Sequence, residues 1–111
     1  MTNIGLIQPG MSFAEMTAKS HRLPEAYRAL RYGVLAHGVG LCDEYPSVRY
    51  PEDVEAHGYS GRFEVGMTLC VEAYVGAVGG REGVKLEEQV VVTENGCILL
   101  SRYPFEPALL A

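Results

Sequence analysis

An Asn95-Gly96 step stands between two runs of strand-forming residues, Val84–Thr93 and Cys97–Ser101. Asn-Gly is the dipeptide that most readily forms the tight, twisted turn of a two-stranded hairpin, so this end of the chain is committed to antiparallel pairing. A third run, Met67–Val75 after Gly66, is long enough to join the same sheet. The glycines at 76, 79, 80 and 83 supply the turn between this run and Val84–Thr93.

Upstream the pattern is helical and shorter. Pro9-Gly10 breaks the chain, and Ser12 and Glu15 then have the spacing of a capping box, which predicts a helix from Phe13 to about Leu23. Pro24 suits the first turn of a second short helix through Tyr27 and Leu30. Gly33, Gly38 and Gly40 disfavour helix in the next segment, and Val34–Leu41 reads as extended. Residues 42–65 hold Pro46, Pro51, Gly58 and Gly61 among charges and tyrosines and read as a long, ordered loop. The apolar tail from Pro104 to Ala111 is expected to lie against the domain. The predicted class is α+β, with helices packed on a curved, antiparallel-rich sheet. At 111 residues there is room for one core and not two.

A net charge of −5 argues against a phosphate-neutralising surface, so nucleic acid is not an expected partner. No run is long and apolar enough for a membrane span, and the first residues lack the basic and apolar regions of a signal peptide. Cys42, Cys70 and Cys97 are odd in number and lack CxxC spacing. They read as reduced thiols acting as small buried hydrophobes, in a protein expected to be cytoplasmic.

Three residues need a chemical explanation. Glu72 lies in Leu69-Cys70-Val71-Glu72-Ala73-Tyr74-Val75, where both strand faces look buried. A buried carboxylate needs compensation by a cation, an arginine or a metal. Glu87 shares its strand face with Lys85 and Gln89, as an ordinary solvated face would, whereas Glu88 shares the apolar face of Val84, Leu86, Val90 and Val92. Parity alone therefore does not single out Glu87. His37, between Ala36 and Gly38, is either a hydrogen-bonded structural residue or a ligand. His21 and His57 have no spacing partner and read as surface residues.

Taken together, the segments resemble a known family. His37-Gly38-Val39-Gly40-Leu41 is similar to the HGIGL segment of the M24 metallopeptidases, which include methionine aminopeptidase, Xaa-Pro peptidases and creatinase. The run from Gly66 to Glu72 resembles that family's GM-x-x-x-x-E segment. Lys85 through Gly96 resembles its (R/K)-x-E-D-x-V-x-V-T-x-x-G segment. The resemblance implies a partial "pita-bread" fold and a divalent metal pair with His37, Glu72 and Glu87 as ligands. Carboxylates and one imidazole suit hard and borderline divalent cations.

The departures point within the family. Peptidases follow HGIGL with His-Glu, where this chain has Cys42-Asp43-Glu44-Tyr45-Pro46, and they carry Pro where this chain has Ala73. The segment resembles instead the non-peptidase branch of DddP-type dimethylsulfoniopropionate lyases, with Tyr45 in place of their Trp. That resemblance implies β-elimination to dimethyl sulfide and acrylate, with Asp43 as general base and Tyr32 lining the substrate pocket. On residues alone, Asp43 caps a turn and Tyr32 belongs to the core. It further implies iron for the lyase, or manganese, cobalt or zinc for a peptidase, a small-molecule substrate and a homodimeric full-length form. An Xaa-Pro-type peptidase piece and an inactive remnant or binding module are the alternatives. The family's two metal-binding aspartates have no counterpart in residues 1–11, which contain no acidic residue. The chain is therefore expected to be a C-terminal part of a larger catalytic domain, lacking the N-terminal strands that bear them. Alone, it is expected to be inactive or to hold one ion weakly.

Overall fold

The computed structural model describes residues 2–109. Five antiparallel strands form one sheet in the order β2-β1-β3-β4-β5: β1 is Val34–Gly38, β2 Ser47–Arg49, β3 Thr68–Gly76, β4 Gly83–Thr93 and β5 Gly96–Leu99. β3 and β4 carry the sheet, pairing without interruption from Thr68 opposite Val91 to Gly76 opposite Gly83. The β4–β5 hairpin forms where the sequence predicts it, displaced by one residue. Thr93 pairs with Gly96, so Glu94 and Asn95 are the loop, and Gly96 takes the positive φ of 123° as the first residue of β5.

Among the described residues, four short helices accompany the sheet: α1 Thr2–Leu6, α2 Phe13–Lys19, α3 Glu25–Arg28 and α4 Val54–His57. The capping box of α2 is complete. Glu15 N–H donates to Ser12 Oγ at 3.1 Å, and Ser12 N–H donates to Glu15 Oε2 at 2.9 Å. Phe13, Met16 and Thr17 recur on one helical face and are buried. The helix stops at Lys19, well short of Leu23, because Ser20 turns extended (φ −60°, ψ 154°) and its hydroxyl donates to the Thr17 carbonyl at 2.9 Å.

Phe13 and Met16 meet Ile7, Phe63, Leu69, Val71, Val90 and Val92 in the core. The Phe13 and Phe63 rings pack edge to face, 5.0 Å apart. Alternation along β3 and β4 puts Leu69, Val71, Val90 and Val92 on this apolar face and turns Cys70, Glu72, Glu87 and Gln89 to the other.

The expected loop over residues 42–65 is more structured than its composition suggests, holding β2, a 3-10 turn at Pro51–Asp53 and α4. Three- and four-residue elements are too short to show a periodic pattern. Among the described residues, no helix is long and apolar enough to cross a membrane. The tail is described as far as a second 3-10 turn at Pro107–Leu109, with Tyr103 exposed and Phe105 partly covered. The last two residues of the expected tail lie outside the described residues.

Candidate metal centre

Three adjacent strands assemble the site. His37 on β1 stands opposite Cys70 on β3, and Glu72, two residues further along β3, stands opposite Glu87 on β4. Residues two apart share a strand face and directly opposed residues are nearest neighbours, so these side chains converge. His37 Nε2 lies 3.4 Å from Glu72 Oε1 and 3.6 Å from Glu87 Oε1. His37 Nδ1 lies 2.9 Å from the Gly38 carbonyl oxygen, which can only accept, so Nδ1 carries the proton and Nε2 faces the carboxylates. Nε2 thus directs its lone pair to the same point as the two carboxylates.

The Glu72 side chain is wholly buried, and neither of its oxygens has a hydrogen-bond partner. Its compensation is the Lys85 ammonium, 2.9 Å from Glu72 Oε2 and 3.0 Å from Glu87 Oε2. The contact with Glu72 is an ion pair without hydrogen-bond alignment. Glu72 and then Glu87 hold the Lys85 ammonium well above the usual lysine range. At Glu87, burial works to raise the carboxyl, but the Cys70 thiol, Lys85 and His37 together hold it below its ordinary range. Burial, followed by the Glu87 carboxylate, pushes the Cys70 thiol up to about 12.

This donor set fits a divalent ion. An ion about 2.0–2.1 Å from an imidazole nitrogen and 2.0–2.2 Å from a carboxylate oxygen, in tetrahedral geometry, sets them about 3.4 Å apart. The two nitrogen–oxygen separations, 3.4 and 3.6 Å, match it without rearrangement of the strands. The Nδ1 contact is the kind of outer partner that fixes a ligating histidine.

Tyr32 and Asp43, the other two residues singled out by the sequence, take no part in these contacts. Tyr32 is partly exposed and its hydroxyl donates to Glu44 Oε2 at 2.8 Å. That bond, followed by burial, raises the Tyr32 hydroxyl above its ordinary value. Asp43 lies exposed in the turn after β1 with φ 55°, a left-handed conformation that aspartate tolerates better than most residues. The turn is pressed back onto β1. Gly38 N–H donates to the Pro46 carbonyl at 2.7 Å, and a Cβ on Gly38 would stand 2.1 Å from the Tyr45 carbonyl oxygen. Gly38 thus serves the close approach of backbone.

Sequence reasoning passed over Cys70 and Lys85. Both were detectable, because each lies two residues before a site glutamate and so shares its strand face. The expectation of buried thiols needs correction: Cys42 is exposed, and Cys70 and Cys97 are partly buried. Cys97 lies away from the site, its sulfur 3.4 Å from the Ile4 carbonyl oxygen. Glu88 stays on the apolar face, buried, with one oxygen unpartnered.

The fold is that of part of a metallopeptidase-type domain. The model of metallopeptidase family M24 matches residues 1–94, and the chain belongs to this family of divalent-metal enzymes. It is 52% identical over 110 residues to the dimethylsulfoniopropionate lyase DddP of Roseovarius nubinhibens, covering 99% of this chain and 25% of that protein. It is 47% identical over 109 residues to the lyase DddP of Roseobacter denitrificans, covering 98% of this chain and 24% of that protein. The chain thus spans about a quarter of the length of these relatives. Among solved structures, prolidase from Pyrococcus furiosus superposes with a TM-score of 0.68 at 23% identity, over 94% of this chain and 29% of that one. The X-Pro aminopeptidase from Thermotoga maritima also gives 0.68, at 20% identity, over 93% of this chain and 28% of the other. At such identities the likeness shows the fold alone, a partial pita-bread domain.

Proposed function

We propose that this chain forms the C-terminal part of the metal centre of a dimethylsulfoniopropionate lyase, with His37, Glu72 and Glu87 as metal ligands. The observation that carries the reading is the 52% identity to the Roseovarius nubinhibens lyase along 99% of the chain. Two further donors, the aspartates of the family pattern, come in this reading from N-terminal strands outside these 111 residues. Iron is the proposed metal, and the proposed setting is a cytoplasmic homodimer.

Bound metal would supply Lewis acidity to the substrate carboxylate and so acidify the adjacent C–H. The remaining work falls to the chain. Asp43 accepts that proton as general base, the C–H electron pair becomes the acrylate double bond, and the C–S bond breaks. Dimethyl sulfide leaves neutral, with the bonding pair on sulfur, so no acid is needed at the leaving group. Tyr32, anchored through Glu44, offers its ring face to the sulfonium cation. The peptidase alternative is disfavoured because Cys42-Asp43 stands where the peptidases carry histidine.

The test replaces the matching quarter of the Roseovarius nubinhibens lyase with residues 1–111 of this chain. The chimera is expected to release dimethyl sulfide, and its Asp43→Ala variant to lose release while keeping its metal. Hydrolysis of an X-Pro dipeptide without dimethyl sulfide release, at normal metal loading, would overturn the reading. So would dimethyl sulfide release undiminished in Asp43→Ala, as regards the base.

A further inference from the structure

We infer that Cys70 is itself a metal ligand: with His37 and Glu87 it forms a nitrogen, sulfur and oxygen site that holds one thiophilic divalent ion, of the zinc or cobalt class, on this chain alone. The inference rests on the reading of His37 and Glu87 as ligands and extends it to a residue outside the donor set of the family motifs.

The sheet register is the first argument. Cys70 lies on the central of three strands, directly opposite His37 and diagonal to Glu87, whose neighbour Gln89 it faces. One ligand atom each from His37, Cys70 and Glu87 lies within 4.8 Å of the other two. Tetrahedral zinc, with about 2.0 Å to nitrogen and 2.3 Å to sulfur, spaces those donors about 3.5 Å apart. Side-chain rotation on fixed strands closes the difference of an ångström or so.

The second argument is the charge deficit beside the cluster. Glu72 points into the same place with its side chain wholly buried and both oxygens lacking a hydrogen-bond partner. Lys85 compensates Oε2 at 2.9 Å, and Oε1, on the His37 side, is left without a cation of its own among the described residues. An ion among His37, Cys70 and Glu87 would supply it.

Donor chemistry then selects the ion. A thiolate beside imidazole and carboxylate favours zinc and cobalt over magnesium, calcium or manganese, which prefer all-oxygen sets. On binding, the Cys70 sulfur–hydrogen bond gives way to a sulfur–metal bond and the proton passes to buffer, with no change of oxidation state. Cys42 and Cys97 do not belong to the cluster: one is exposed on the turn after β1, and the other lies beside Ile4.

The test is anaerobic titration of the 111-residue chain with Co²⁺, using Cys42→Ser/Cys97→Ser so that Cys70 is the sole thiol, with unmodified chain and Cys70→Ser in parallel. Far-ultraviolet circular dichroism checks the fold, and equilibrium dialysis counts bound ions. One Co²⁺ per chain is expected, with a near-ultraviolet thiolate-to-cobalt charge-transfer band saturating at one equivalent. Cys70→Ser is expected to lose that band and to bind at least about tenfold more weakly, as loss of one ligand implies. Visible d–d bands with one bound ion but no charge-transfer band would overturn the role of Cys70 and leave His37 and Glu87 standing. A charge-transfer band that survives Cys70→Ser overturns the assignment. A folded chain that binds no Co²⁺ overturns the inference, and metal loading of the lyase chimera then tests His37 and Glu87 separately.

Discussion

Lys85→Met isolates the cation that compensates the site. The substitution keeps an apolar stem and removes an ammonium 2.9 Å from the wholly buried Glu72 carboxylate and 3.0 Å from Glu87. Breaking a fully buried ion pair from one side costs about 3–5 kcal/mol. Here Lys85 is 48% exposed and Glu87 34%, so solvent screens much of the interaction. A loss of about 2 kcal/mol in metal-free buffer is the consistent figure, between the buried value and the 0–1 kcal/mol of a surface pair. Urea denaturation followed by circular dichroism in EDTA measures it directly. Glu72→Gln removes the buried charge, so in that background Lys85→Met is expected to cost less than about 1 kcal/mol, and the difference is the coupling between the two. Zn²⁺ at about 100 times its dissociation constant adds about 2.7 kcal/mol to any chain that binds it only when folded. Lys85→Met plus Zn²⁺ should therefore recover the stability of the metal-free parent. Two results would refute the reasoning: a Lys85→Met chain as stable as the parent in EDTA, or a loss of the same size in the Glu72→Gln background.

Gly38→Ala drives a methyl group to 2.1 Å from the Tyr45 carbonyl oxygen, so the 39–46 turn must move. A loss of about 3 kcal/mol or more in urea denaturation is expected, as for other steric violations in packed backbone. Ser12 hydrogen bonds, backbone first, lower the Glu15 carboxyl below its ordinary value. Their contribution is therefore complete above the unfolded-state value and lost as pH falls through the folded one. Glu15→Gln should flatten the acid limb of the stability–pH curve in the range at and below the normal glutamate titration, and a limb unchanged by the substitution would contradict this. In the lyase chimera, Tyr32→Ala should raise KM for dimethylsulfoniopropionate roughly 5- to 30-fold, the equivalent of about 1–2 kcal/mol of cation–π contact. Tyr32→Phe, which keeps the ring face, should leave KM within about twofold, and equal KM for all three proteins would remove Tyr32 from the pocket.

Much of the fold was readable because its elements carry local signals. The Ser12–Glu15 box announces α2, alternation and β-branched residues announce β3 and β4, and Asn95-Gly96 announces the last hairpin. The hairpin's one-residue displacement reflects a competition that dipeptide statistics do not resolve. The positive φ falls on Gly96 as a strand residue, which leaves Glu94 and Asn95 as the loop. β2 and α4 were invisible for different reasons: α4 is too short to show a period and buries no residue, and β2 is created by what it packs against. Ser47–Arg49 becomes a strand because β1 offers it a free edge, with His37 opposite Ser47. Leu23 was placed in α2 on apolar character alone, but Ser20 ends the helix by a side-chain bond to Thr17 that competes with the next turn.

The candidate site shows why residue patterns leave Glu87 and Glu88 undecided. Both are strand glutamates, one residue apart, and Glu88 is the odder by burial. What separates them is register. Glu87 stands opposite Glu72 and faces His37, whereas Glu88 stands opposite Val71 on the apolar side. A slip of β4 by one residue would exchange their faces. It would also carry Val90 and Val92, both essentially fully buried, out of the core. Burying a valine contributes about 1.5–3 kcal/mol, so the two together oppose the slip by about 3–6 kcal/mol. The choice of ligand on the polar face is thus made by packing on the other. Parity locates the polar face, and only the pairing of β3 with β4 makes Lys85, Glu87 and Cys70 neighbours of a buried carboxylate.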